Sequence, residues 1–81
     1  MNIRRCRLQM TSGGCPEAYD VFFKGKYIGH LRLRHGCFTA CIDEECVYTG
    51  YPVGDGIFDF NERDNFLKQG VTALKKANKA R

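Results

Sequence analysis

Three soft donors, His30, Cys41 and Cys46, sit at spacings that a sheet can bring together. If His35-Gly36 makes a two-residue turn and Asp43-Glu44 the next, the three fall in one row across neighbouring strands. One imidazole and two thiolates are zinc ligands, and such a site would be structural. The spacing Cys37-x3-Cys41-x4-Cys46 contains no Cys-x2-Cys pair of the kind zinc knuckles use. On one unbroken strand Cys37 and Cys41 would stand ~13 Å apart at ~3.3 Å per residue, too far to share a metal. No cofactor is therefore expected, with zinc at His30, Cys41 and Cys46 as the alternative.

The chain carries five cysteines and opens Met-Asn-Ile-Arg-Arg-Cys-Arg, without the apolar core of an export signal. A cytoplasmic protein is expected, with thiols free or metal-bound rather than paired. A cysteine nucleophile would need a histidine base held by a third group. The only two histidines are read as a turn residue, His35, and a surface residue, His30. The phosphate loop G-x-x-x-x-G-K, the dinucleotide motif G-x-G-x-x-G and the nucleophile elbow G-x-S-x-G are all missing from the sequence, so no enzymatic activity is expected.

Thirteen lysines and arginines against nine acids give a net charge of +4, and the cations are patterned. Arg5 and Arg7 alternate on one expected strand and Arg32 and Arg34 on another, while Lys24 and Lys26 flank a glycine at a hairpin tip. Arginine forks on one sheet face suit phosphate oxygens. Tyr48 is read on the same face, and Phe22 and Ile28 also point outward there by strict alternation. Apolar groups mixed with arginine suit a protein interface as well.

These residues need a sheet behind them. Period-two alternation predicts strands over about 3–10, 18–24, 27–34, 37–42 and 46–51, with Leu31 and Leu33 on one face and His30, Arg32 and Arg34 on the other. The His35-Gly36 turn would set Leu33 opposite Phe38, Leu31 opposite Ala40 and Arg32 opposite Thr39. After Pro52 the period changes to about 3.6. A helix over about 60–78 is expected, capped by Asp59 with Glu62 or Asn61 with Asp64, its stripe Leu67, Val71, Leu74 and Ala77 covering the leucine face. The expected architecture is α+β: one domain over residues 1–81, an antiparallel meander of four to five strands with one C-terminal helix packed on one face.

Lys26-Tyr27-Ile28-Gly29-His30-Leu31-Arg32-Leu33-Arg34-His35-Gly36-Cys37-Phe38, with Val47-Tyr48 and Gly54-Asp55-Gly56-Ile57-Phe58, resembles small proteins of phages and conjugative mobile elements over about half the chain. The resemblance implies a protein that acts by binding, on DNA or on a host defence. Two functions follow as expectations. The first is a binding module for nucleic acid using Arg5, Arg7, Lys24, Lys26, Arg32, Arg34 and Tyr48. The second is an inhibitor of a host defence protein, anti-CRISPR-like, acting by protein contacts. The expected partners are nucleic acid or an acidic host surface, with a homodimer as a further option and no membrane.

Overall fold

The computed structural model describes residues 1–13, 16–53, 58 and 61–80. Six antiparallel strands follow one another in chain order: β1 (Asn2–Ile3), β2 (Cys6–Gly13), β3 (Glu17–Phe23), β4 (Lys26–Arg34), β5 (Cys37–Ile42) and β6 (Glu45–Gly50). One helix, α1 (Arg63–Ala80), packs across β4, β5 and β6 and touches β1. The fold is thus the α+β meander with a C-terminal helix, built from six strands instead of four or five.

The extra strand comes from a turn at Arg4 and Arg5, whose φ angles of 50° and 69° fold Ile3 back onto Cys6 and split the strand expected over 3–10. Arginine gives no turn signal, so alternation by itself runs the strand straight through. β2 also continues past Thr11 to Gly13, across an irregularity between Met10 and Ser12. The other tight turns have the required chemistry. Lys24-Gly25 and His35-Gly36 both take positive φ at their two central residues, as the twist of a two-residue hairpin demands.

From the second turn the β4–β5 register follows as expected: Leu33 opposite Phe38, Arg32 opposite Thr39, Leu31 opposite Ala40. Leu31, Leu33, Phe38 and Ala40 are fully buried with Leu67, Val71 and Leu74 of the helix. Gly70 lets the helix approach: a Cβ there would lie 2.8 Å from Leu31 Cδ2 and 2.9 Å from Phe38 Cζ.

Two bulges change which side chains face outward. Val21 pairs with Gly29 but Phe22 with Tyr27, so Ile28 is an extra residue on β4 and turns into the core, 3% exposed. The expected outward Ile28 is corrected accordingly. Gly29, beside the extra residue, takes a φ of 155° and lets Leu74 of the helix pack where a Cβ would clash with its Cδ2. On β6, Ala40 pairs with Tyr48 and Cys41 with Cys46, leaving Val47 as the extra residue. Tyr48 therefore shares the helix side with Ala40.

The helix begins at Arg63, slightly later than expected, and the Glu62 carbonyl accepts the Phe66 N–H of its first turn. The Glu62 carboxylate accepts the Val53 amide at 2.8 Å and so ties the crossover to the helix start. Asp59, the expected cap, lies outside the described residues.

Candidate nucleic-acid interface

Because α1 covers one face of the sheet, the opposite face of β2 to β5 is open to solvent. Arg7 on β2 lies there, its guanidinium 4.5 Å over the Phe22 ring of β3, and Phe22 meets Tyr27 of β4 edge-on at 5.9 Å. Both contacts run between residues directly opposite in the ladder, where side chains on one face stand closest. Farther along β4 from Tyr27 come Arg32 and then Arg34. They line a shallow hollow with His35, Cys37 and Thr39. Arg7 lies about four residues along the sheet from the level of Arg32 and two strands across from it, so the two cationic ends are ~16 Å apart at ~3.3 Å per residue and ~4.8 Å per strand.

The middle of the face holds a hydrogen-bonded pair. Asp20 and His30 are opposite each other on β3 and β4, with Oδ1 and Nδ1 3.2 Å apart. Neither His30–Asp20 nor the ion pair Arg63–Glu17 uses Arg7, Arg32 or Arg34, and no carboxylate pairs with these three among the described residues. The Arg7 guanidinium instead donates to the Gln9 side-chain oxygen at 3.4 Å. Tyr27, 44% exposed, adds an aromatic edge that strict alternation misses. Burial, then the fields of Asp20 and Asp43, push its phenol pKa up, so the ring it presents is neutral. The signal for it is Gly29, a glycine inside a strand pattern.

The other expected binding residues go elsewhere. Tyr48 packs edge-on against Phe38 and donates its hydroxyl hydrogen bond to Gln69 Oε1 on the helix, so it is not beside the arginines. The bulge at Val47 is the reason. Lys24 leans on Phe23, its Nζ 5.3 Å from the ring, and Lys75 of the helix covers the same ring at 4.9 Å. Lys26 is opposite Phe23 and lines a hollow with Asn78 of the helix. Both lysines thus sit on the helix side of the hairpin tip. Arg5 is exposed in the β1–β2 turn at the sheet edge.

His30, Cys41 and Cys46 do form the expected row, on the open face. Cys41 and Cys46 are joined in a disulfide, however, which corrects the expectation of unpaired thiols. Their direct opposition across the β5–β6 ladder brings the two sulfurs together. A zinc site needs both as thiolates, whereas here they bond each other and His30 is engaged by Asp20. Cys6 is a buried thiol, its pKa pushed up by burial against the lowering field of Lys75, and Cys37 is half-buried on the open face.

Comparison with protein-family models, with curated proteins and with solved structures finds no match. Among the described residues no helix is long and apolar enough to cross a membrane.

Proposed function

We propose that the chain is a non-enzymatic nucleic-acid-binding module that lays the helix-free face of its sheet along a phosphate backbone. The observation that carries this reading is the arrangement of Arg7, Arg32 and Arg34, paired with no carboxylate among the described residues, around a centre where Asp20 is already engaged by His30. A separation of ~16 Å between the two ends corresponds to about five base-pair rises along a duplex axis at ~3.4 Å each. Phe22 and Tyr27 at one end give a base or sugar an aromatic surface beside the phosphate-binding arginine.

The reading is tested by titrating DNA and RNA, single-stranded and duplex, with the wild type and with Arg32→Ala/Arg34→Ala. On duplex DNA the double variant is expected to show a salt slope smaller by about 0.9 for each phosphate that the two arginines neutralise. Unchanged affinity and slope would overturn the proposal.

A second reading, a mobile-element inhibitor of a host defence protein, is supported by exposed Tyr51 and Val53 beyond β6, which are 78% and 83% accessible. The expected mixed face of Phe22, Ile28 and Tyr48 does not support it, since two of these face the helix side. This reading expects binding that tolerates salt.

A further inference from the structure

A second cationic surface lies on the opposite side of the molecule. The solvent side of α1 carries a groove lined by Arg4, Tyr48, Lys68, Gln69, Thr72 and Lys76, among others, and no carboxylate among the described residues lines it. Lys68, Thr72 and Lys76 are spaced four residues apart, so they form one stripe ~12 Å long at ~1.5 Å per residue.

Both walls of this groove are pinned. On one side Lys75 Nζ donates to the Arg4 carbonyl at 2.9 Å, fixing the β1–β2 turn against the helix and holding Arg4 at the rim. On the other the Tyr48 hydroxyl is bonded to Gln69. The positive φ of Arg4 and Arg5 makes the turn that this bond holds. Arg4, Lys68 and Lys76 supply charge, and the Asn65 side-chain amide supplies a donor of the kind phosphate oxygens accept from. The Thr72 hydroxyl donates to the Lys68 carbonyl at 2.7 Å and so adds shape rather than a donor.

We propose that this helix groove is a second, weaker phosphodiester-binding surface, so that one molecule holds two nucleic-acid segments, one on each side. The inference rests on the nucleic-acid reading of the open sheet face, which carries the tighter site. Charge complementarity commits the groove to a polyanion: Arg4, Lys68 and Lys76 stand around a floor that includes Tyr48 and Ala73, and no described acid lines it.

The test immobilises a short DNA duplex, loads it with protein at low salt, washes, and adds a second duplex carrying a fluorophore. Wild type is expected to retain the second duplex, while Arg4→Ala/Lys68→Ala/Lys76→Ala holds the first and retains at least ~10-fold less of the second. Arg7→Ala/Arg32→Ala/Arg34→Ala should hold one duplex weakly and bridge none. Wild type that binds the first duplex without retaining the second would overturn the groove and leave the sheet-face reading standing. Bridging that survives in the groove variant would overturn it as well, because the two segments would then be joined by self-association. Wild type that binds no duplex and no single strand would overturn both.

Discussion

Glu17 of β3 and Arg63 at the start of α1, 46 residues apart, form a two-pronged ion pair: Nε to Oε2 at 2.8 Å and Nη2 to Oε1 at 3.0 Å. Glu17 is 1% exposed and also accepts the Tyr19 hydroxyl at 2.5 Å and the Phe58 amide at 3.2 Å. One carboxylate thereby fastens sheet, crossover and helix together. It adds a polar tie to the apolar packing of α1 on the sheet.

Removing the guanidinium should leave a buried, partly orphaned charge. Arg63→Ala is expected to destabilise by about 3–5 kcal/mol near neutral pH, toward the lower end because Arg63 is a third exposed. Equilibrium urea unfolding measures it. A loss below about 1 kcal/mol would mean that the clamp does not govern the fold.

The same carboxylate gives the stability a pH signature. Burial acts to raise the Glu17 pKa, but bonds from Arg63, Tyr19 and Phe58 outweigh it and hold the pKa below the ordinary range. The folded pKa is thus below the unfolded one, so Glu17 contributes stability above about pH 4 and loses it as pH falls through the folded value. In Arg63→Ala the bonds and charge of Arg63 no longer lower the pKa, which should rise above its wild-type value. The gap in stability between variant and wild type should therefore narrow on acidification, which unfolding midpoints measured between about pH 7 and about pH 3 would reveal. A constant gap would contradict this assignment.

Gly70 offers a test of packing against propensity. Alanine is the better helix former by about 1 kcal/mol, yet its methyl would press on Leu31 and Phe38 of the sheet. Gly70→Ala should destabilise by about 1–3 kcal/mol net, from overpacking, on thermal unfolding. Stabilisation would show that the helix is free to move away from the sheet.

Thiol accessibility should separate the cysteines. In native protein without reductant, a maleimide followed by peptide mapping should label Cys37 readily and leave Cys6 unmodified until unfolding, since Cys6 is fully buried. Cys41 and Cys46 should react only after reduction. Labelling of Cys41 or Cys46 in native, unreduced protein would contradict the pairing.

How much of this is legible in sequence differs from residue to residue. The β4–β5 hairpin is readable in full, because His35-Gly36 fixes a two-residue turn and the turn fixes every pair beyond it, including His30 opposite Cys41. The helix stripe is readable from the spacing of Leu67, Val71 and Leu74. Tyr48 and Ile28 are misplaced by alternation because one extra residue inverts a strand's parity, and only Gly29 hints at a bulge. The Glu17–Arg63 pair has no local signal, since nothing in either segment marks a partner 46 residues away. The arginine face is half legible. Arg7, Arg32 and Arg34 are where alternation puts them, whereas Lys24, Lys26 and Tyr48 follow hairpin twist and bulges to the helix side.

The most direct measurement is the affinity of wild type and Arg7→Ala/Arg32→Ala/Arg34→Ala for a DNA duplex across a series of salt concentrations. Wild type should lose affinity steeply as salt rises, and the variant should bind more weakly with a slope smaller by about 0.9 for each phosphate no longer neutralised. A wild type that ignores both duplex and single strand, or a variant with the same affinity and slope, would contradict the account.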